Sequence, residues 1–178
     1  MNNNTAPTVP NAQLSHIGIA VQDMDRMIGF YQRFLGMKLV DRGTMAGRDL
    51  AFLSRTPEEH HQLVMIQDPS RAPRESTLGQ LSFRLDDLEA LCTFYALLEE
   101  AGVTGLEGRN HGNSWSLYCF DPEGNKIELY VPTDWHFPQP WRAPLDLHQS
   151  AAYIRAETEA LFREVPNTVS MAEWKRNF

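Results

Sequence analysis

Residues 16–25 read His16-Ile-Gly-Ile-Ala-Val-Gln-Asp-Met-Asp25, and residues 80–89 repeat the pattern as Gln80-Leu-Ser-Phe-Arg-Leu-Asp-Asp-Leu-Glu89. In both stretches apolar and polar residues alternate, which is typical of a half-buried strand. Each stretch then continues into a segment with apolar residues at helical spacing, after an Asp that can cap a helix. The chain therefore contains the same strand, turn and helix twice.

Three further apolar runs follow the helix in each copy. They lie near residues 38–42, 49–54 and 61–67 in the first copy, and near 104–108, 114–120 and 126–131 in the second. The order in each copy is βαβββ. We therefore expect an α+β fold in which two modules, residues 13–69 and 77–132, form one domain around a central cleft.

The two ends of the chain differ in composition from the repeat. Residues 1–12 contain four Asn and two Pro and few groups to bury, which predicts a disordered tail. Residues 133–178 begin with an aromatic and proline-rich segment, and residues 150–164 have the pattern of an amphipathic helix. This C-terminal arm and helix would either pack on the core or a second subunit, or form a lid over the cleft.

Composition excludes several classes of function. The chain has 178 residues and a net charge of -7, and its basic residues are scattered, which argues against nucleic-acid binding. It has neither an apolar run of membrane-spanning length nor a signal-peptide pattern, which predicts a cytoplasmic protein without membrane contact. The two cysteines, Cys92 and Cys119, fit neither a disulfide framework nor a thiolate site. Any metal would need imidazole and oxygen ligands.

His16, Gln80 and Glu128 are the candidate metal ligands. Each lies on the polar face of a predicted strand, and Gln80 occupies the place in the second copy that His16 has in the first. Imidazole and carboxylate groups are typical ligands of Fe(II), Mn(II), Ni(II) and Zn(II). The alternative for each residue is a hydrogen-bonded strand position without a metal.

A longer motif allows a comparison with a known family. Residues 111–130 read His111-Gly-Asn-Ser-Trp-Ser-Leu-Tyr-Cys-Phe-Asp-Pro-Glu-Gly-Asn-Lys-Ile-Glu-Leu-Tyr130. This segment resembles the region that contains the last metal ligand in small extradiol dioxygenases. From about Leu14 to Pro132 the chain resembles the vicinal oxygen chelate superfamily. This superfamily includes extradiol dioxygenases, glyoxalases, fosfomycin-resistance enzymes and bleomycin-resistance proteins. The resemblance implies a half-open mixed β-sheet barrel and a metal, most often Fe(II), at His16, Gln80 and Glu128.

The resemblance also implies three catalytic residues. His61, or its neighbour His60, corresponds to the acid/base histidine that the family places in the fourth strand. His111 corresponds to a histidine near the substrate. Tyr118 corresponds to a tyrosine that hydrogen-bonds an oxygen atom of the substrate or product.

Gln80 departs from the dioxygenase pattern, in which a histidine occupies this position. A neutral amide is a weaker ligand than imidazole, so the site should bind Fe(II) less tightly. Some glyoxalases use Gln at a first-strand position, but they also use a Glu from the fourth strand, and residues 61–67 contain no carboxylate. His61 is an alternative ligand, and Gln62 is the nearest oxygen ligand in that strand.

Three functions follow from the resemblance. The first is an extradiol-dioxygenase-type enzyme that uses O2 to cleave or oxidise a small catechol-like aromatic substrate chelated through vicinal oxygens. The second is a glyoxalase-like lyase or isomerase. The third is a metal-free binding protein of the bleomycin-resistance kind, with aromatic residues such as Trp115 and Tyr130 in its cleft. A homodimer is expected because superfamily members commonly pair.

Overall fold

The computed structural model describes residues 13–70 and 78–177. These residues fall into two compact units, one on each side of residues 71–77, which we call the first and second units. The predicted tail, residues 1–12, lies outside the described residues. No helix in residues 13–70 and 78–177 is long and apolar enough to cross a membrane.

The first unit has the predicted βαβββ order. Its elements are β1 (Ile17–Val21), α1 (Met24–Leu35), β2 (Lys38–Met45), β3 (Arg48–Ser54) and β4 (Leu63–Gln67). The strands form one sheet in the order β1-β4-β3-β2, in which β1 and β4 are parallel and the other pairs antiparallel. The sheet is mixed because α1 connects β1 to β2 at the opposite edge, and two hairpins then lead through β3 to β4, which lies parallel to β1.

Local sequence signals account for both ends of α1. The Asp23 side chain accepts a hydrogen bond from the Arg26 backbone N–H at 3.0 Å, which satisfies one free donor of the first turn. Gly36 ends the helix with φ 62°, in the left-handed region that glycine adopts without strain. Met27 and Tyr31, one turn apart, are fully buried. The apolar spacing therefore marks the face of α1 that packs on the sheet.

The second unit repeats this architecture and extends it. Its elements are β5 (Leu81–Arg84), α2 (Leu88–Glu100), β6 (Glu107–Asn110), β7 (Ser114–Phe120), β8 (Lys126–Pro132), β9 (Trp135–His136), β10 (Ala143–Pro144), α3 (Ala151–Glu164), β11 (Val169–Ser170) and α4 (Met171–Arg176). The main sheet has the order β10-β6-β7-β8-β5, with β5 parallel to β8 as β1 is to β4. The predicted duplication is confirmed by this equal strand order.

The C-terminal arm packs on the sheet of the second unit. β10 pairs with the edge strand β6, and Phe137 is completely buried. Thr158 of α3 accepts hydrogen bonds from Trp115 Nε1 at 2.8 Å and from Asn110 Nδ2 at 2.9 Å. The predicted helix at 150–164 is confirmed, with Ser150 as its cap.

The observed strand boundaries differ from the predicted ones by two or three residues at β2, β4 and β6. β4 begins at Leu63, so His61 precedes the strand, because the Ser54 hydroxyl bonds the carbonyl oxygens of Thr56 and Glu59 and holds this segment as a turn. β6 runs from Glu107 to Asn110 instead of 104–108. Gly105 has φ 73°, which is incompatible with an extended strand at the start of the predicted run.

Candidate functional site

Glu128 is the centre of a hydrogen-bond network on the sheet of the second unit. It lies in β8, directly opposite Tyr118 of β7 and Ser82 of β5. The Tyr118 hydroxyl donates to Glu128 Oε1 at 2.7 Å. Glu128 Oε2 accepts from Ser82 Oγ at 2.5 Å and from Gln80 Nε2 at 2.6 Å. Both carboxylate oxygens are therefore held by protein groups.

All three donors to Glu128 are neutral, and its side chain is buried, with 8% of its surface exposed. No Arg or Lys within 13–70 or 78–177 forms an ion pair with it. A buried carboxylate without a countercharge is costly, since burial removes its hydration. A divalent cation would supply that charge, so this carboxylate fits a metal ligand.

His111 extends the network from Tyr118 toward the C-terminal arm. Its Nε2 lies 3.0 Å from the Tyr118 hydroxyl, and its Nδ1 lies 3.4 Å from the Trp141 carbonyl oxygen. A carbonyl oxygen only accepts, so this contact assigns a hydrogen to Nδ1. Tyr118 has one hydroxyl hydrogen, which can be donated either to Glu128 Oε1 or to His111 Nε2. Tyr118 therefore links His111 to Glu128.

Tyr118 is itself a strong candidate for a fixed donor. Desolvation raises the pKa of its hydroxyl well above the ordinary value, and the hydrogen bond to Glu128 and the charge of that carboxylate raise the pKa further. The phenol is therefore protonated across the physiological range. It can donate a hydrogen bond to an oxygen atom but does not act as a base.

This network opens onto a cavity of about 410 Å³ within the second unit. Its wall combines polar groups from the sheet and the 111–114 turn with two residues of the C-terminal arm: His111, Asn113, Ser114, Tyr118, Glu128, Tyr130, Gln139 and Met171. A cavity with convergent polar groups on one side is the usual form of a small-molecule site.

In the first unit, three histidines lie together. The rings of His16 and His61 have centroids 4.5 Å apart, and His60 Nδ1 lies 3.0 Å from His61 Nδ1. His60 Nε2 lies 2.9 Å from Asp41 Oδ2, while Ser15 Oγ lies 2.9 Å from His16 Nδ1. The Ser15 contact occupies one ring nitrogen of His16 and leaves Nε2 as the nitrogen that can bind a metal.

His61 has the properties of a neutral base. Desolvation lowers the pKa of its imidazole from the ordinary 6.5, and the charges of His16 and His60 lower the pKa further. The ring is therefore unprotonated at neutral pH and can accept a proton.

The structure brings the predicted site residues together in two groups. Gln80, Glu128, Tyr118 and His111 are joined by hydrogen bonds in the second unit, and His16 contacts His61 in the first. Within the described ranges, no three His, Cys, Asp or Glu side chains form a cluster that could hold a metal. The predicted ligand set of His16, Gln80 and Glu128 remains a prediction.

Sequence reasoning missed Ser82, Gln139 and Met171. Ser82 shares a strand face with Gln80, so the two-residue period was a signal for it. Gln139 and Met171 lie in the arm, where no local pattern points to a site. Trp115, expected to line the cleft, is instead packed under α3 with 4% exposed.

The chain is similar in sequence to proteins with different named activities. The chain is 28% identical over 124 residues to Biphenyl-2,3-diol 1,2-dioxygenase 3 of Rhodococcus globerulus, covering 67% of this chain and 63% of that protein. It is 30% identical over 123 residues to Glutathione transferase FosA of Serratia marcescens, covering 66% of this chain and 79% of that protein. The chain thus spans less than two thirds of the dioxygenase.

A solved structure shows the same fold. The fosfomycin resistance protein FosX of Listeria monocytogenes, in complex with Mn(II) and 1S,2S-dihydroxypropylphosphonic acid, superimposes with a TM-score of 0.57 at 16% identity, over 70% of this chain and 95% of FosX. The sequence profile of one family matches residues 13–129. This match includes the first module and the second as far as residue 129, with Tyr118 and Glu128. The chain belongs to the Glyoxalase/Bleomycin resistance protein/Dioxygenase superfamily.

Proposed function

We propose that the protein is a metal-dependent enzyme of the extradiol-dioxygenase type, acting on a small catechol-like substrate bound through vicinal oxygens. The observation that carries this proposal is the hydrogen-bonded series His111, Tyr118 and Glu128 at the wall of the cavity. It combines an acid/base group, a fixed donor and an anionic ligand in one row. The relative from Rhodococcus globerulus, named for a reaction of biphenyl-2,3-diol, supports the substrate class.

The proposed metal is Fe(II), with Mn(II), Ni(II) or Zn(II) as alternatives, and the proposed ligands are His16, Gln80 and Glu128. Glu128 fits because it is buried and no Lys or Arg in residues 13–70 and 78–177 forms an ion pair with it. Gln80 directs Nε2 to Glu128, which leaves its carbonyl oxygen Oε1 as the ligand atom. His16, Gln80 and Glu128 would hold such a metal, which would supply Lewis-acid and redox chemistry toward the diol and O2.

Three side chains are proposed to share the proton transfers. His61 is proposed to accept a proton from the diol, since its lowered pKa keeps the imidazole neutral. Tyr118 would turn its one hydroxyl hydrogen from Glu128 to a substrate or product oxygen. His111, which contacts the Tyr118 hydroxyl, would exchange a proton with the substrate or product.

Metal content and oxygen uptake test this proposal. Protein purified without chelators and loaded anaerobically with Fe(II) should bind one metal per chain and consume O2 with catechol, 3-methylcatechol or 2,3-dihydroxybiphenyl. His16→Ala and Glu128→Ala should each lose the metal. His148→Ala and Glu159→Ala remove the same groups from exposed positions and should keep it. If protein prepared with excess Fe(II) holds less than one metal ion per chain, the proposal is wrong.

One observation favours a second function, that of a metal-free small-molecule binding protein. Gln80, Ser82 and Tyr118 already satisfy both Glu128 oxygens by hydrogen bonds, so the network is complete without a cation. In that case EDTA-treated protein would bind an aromatic ligand as tightly as untreated protein, and no oxygen uptake would be seen. Titration calorimetry with and without EDTA separates the two functions.

A further inference from the structure

We propose that two residues of the C-terminal arm complete the ligand cavity of this protein. Gln139 is a positioning residue for His111, and Met171 contacts the ligand and sets the size that the cavity accepts. Both residues lie beyond residue 129, where the family match ends. The ligand class assigned to Met171 rests on the proposed function, whereas the role of Gln139 does not.

The turn that carries His111 is shaped around the arm. A Cβ atom at Gly112 would lie 2.1 Å from Cγ of Phe137, and Gly112 has φ 78°. Phe137 is completely buried, and Thr133 Oγ1 donates to the Gly112 carbonyl oxygen at 2.5 Å. Only a glycine at 112 allows this approach, so the turn and the arm form one packed structure.

Gln139 holds the same turn at two points. Its Nε2 lies 2.8 Å from the His111 carbonyl oxygen, 2.7 Å from Asn113 Oδ1 and 3.3 Å from the Phe137 carbonyl oxygen, so its two shortest contacts are on the turn. Its Oε1 accepts from the Trp141 backbone N–H at 3.2 Å. The amide therefore fixes the His111 backbone and the backbone of Trp141 relative to each other.

This clamp determines how the His111 ring is presented. The Trp141 carbonyl oxygen lies 3.4 Å from His111 Nδ1, and the opposite nitrogen, Nε2, lies 3.0 Å from the Tyr118 hydroxyl. Loss of the Gln139 amide would release both the turn and the backbone of Trp141, whose carbonyl oxygen meets His111 Nδ1. The ring would then lose its fixed orientation and its fixed tautomer, while the fold of the sheet would stay.

Met171 presents an apolar group to a cavity whose sheet side is polar. Its backbone N–H donates to the Asp134 carbonyl oxygen at 2.8 Å, and the neighbouring Ser170 pairs with Trp135 between β11 and β9. These bonds hold the start of α4 at the cavity. A ligand with oxygen atoms toward Tyr118 and Glu128 and a hydrocarbon part toward Met171 fits this wall. The flexible thioether is suited to contact with an aromatic ring.

Imidazole NMR tests the role of Gln139 without any metal or turnover. In Gln139→Met, which keeps side-chain length, we expect both ¹⁵N signals of His111 to move toward the averaged values of a free imidazole. Gln149→Met is the matched control, because the exposed side-chain amide of Gln149 donates to Asp146, far along the chain from the 111–114 turn, and the change should leave His111 unchanged. His111→Gln assigns the signals.

Gln139→Glu is a second variant in case Gln139→Met does not fold. It keeps length and polarity, but an ionised carboxylate cannot donate to either acceptor on the turn. Unchanged His111 signals in a folded Gln139 variant would overturn the positioning role. A changed signal with unchanged thermal stability would separate positioning from general loss of structure.

Calorimetry with two probes tests Met171. Met171→Trp should weaken binding of 2,3-dihydroxybiphenyl by about tenfold, or about 1.4 kcal/mol, and leave catechol within about twofold. Met171→Leu, of similar volume, should bind both probes as the wild type does. Equal changes for both probes in Met171→Trp would overturn the assignment. If the wild-type protein binds neither probe, the proposed function and the role of Met171 are both wrong. The positioning role of Gln139 is then still tested by the NMR signals of His111.

Discussion

At the scale of single residues, Tyr118 joins the catalytic candidates to the buried charge of Glu128. Tyr118→Phe removes a donor at 2.7 Å from that carboxylate, and we expect a loss of about 1–3 kcal/mol in the free energy of unfolding. Turnover of a catechol should fall by about 10²-fold, because a positioned hydrogen-bond donor is lost. Urea unfolding and oxygen uptake measure the two effects. Tyr153→Phe, at an exposed position on α3, should change neither, and equal behaviour of both variants would contradict the prediction.

Gln80 decides how strongly the proposed site holds a metal. Gln80→His replaces a neutral amide by an imidazole, a stronger ligand for Fe(II), and should tighten Fe(II) binding by at least about tenfold, or about 1.4 kcal/mol. Competition with a chromogenic chelator measures the affinity. Gln149→His adds the same group on the exposed arm and serves as the control. An unchanged affinity in Gln80→His would mean that residue 80 is not a ligand.

At the scale of elements, the contact between the 111–114 turn and the arm is the most sensitive point. Gly112→Ala would place a Cβ 2.1 Å from Phe137 in addition to the strain of a positive φ. Gly124→Ala has the same strain, with φ 81°, but meets no atom within 4 Å. We expect Gly112→Ala to be less stable than Gly124→Ala by about 1–3 kcal/mol. Similar urea midpoints for the two variants would contradict the prediction, because they would show that the arm moves at little cost to make room for the added methyl group.

An ion pair connects α2 to α3 and should give the stability an acid dependence. Arg155 binds both oxygens of Glu89, at 2.8 and 3.0 Å, and this hydrogen bonding lowers the pKa of Glu89 from 4.5 to about 2. Since the folded-state pKa is depressed, the stabilisation is complete above about pH 4.5 and is lost as the pH falls toward 2.

The matching experiment compares urea midpoints at several pH values between about 5 and 2. Glu89→Gln should be less stable than the wild type at the upper end of this range, and the difference should shrink on acidification. The effect is small, because both side chains are largely exposed. Glu157→Gln, another exposed position, should lack this dependence. A constant difference at every pH would contradict the ion-pair explanation.

At the scale of the whole molecule, we expect a homodimer. One edge of the first unit's sheet is β2, an eight-residue strand with exposed apolar side chains at Leu39, Val40 and Met45. Long apolar edge strands tend to be covered by another chain. Sedimentation equilibrium should give twice the chain mass of 20.3 kDa, and Val40→Lys should shift it toward the monomer. Leu97→Lys, on α2, is the control, and a monomeric wild-type protein would refute the prediction.

Much of the fold could be predicted from the sequence, because the signals for its elements are local. Alternation and helical spacing predicted both helices of the repeat, and an Asp caps each helix as expected, Asp23 in the first copy and Asp87 in the second. The matching positions of His16 and Gln80 also followed from the repeat alone. These features depend on residues that are close together along the chain, so the sequence alone contains the information that specifies them.

Only the tertiary structure decided which distant residues share a site. Gln80 and Ser82 meet Glu128 because β5 lies beside β8 in parallel register, and Gln139 and Met171 reach the cavity because the arm folds back over the second unit. His61 was expected within the fourth strand but precedes β4, which begins at Leu63. The Ser54 hydroxyl bonds the carbonyl oxygens of Thr56 and Glu59 and holds the segment before the strand as a turn. Such contacts depend on how whole elements pack, and the pattern of any one segment does not contain that information.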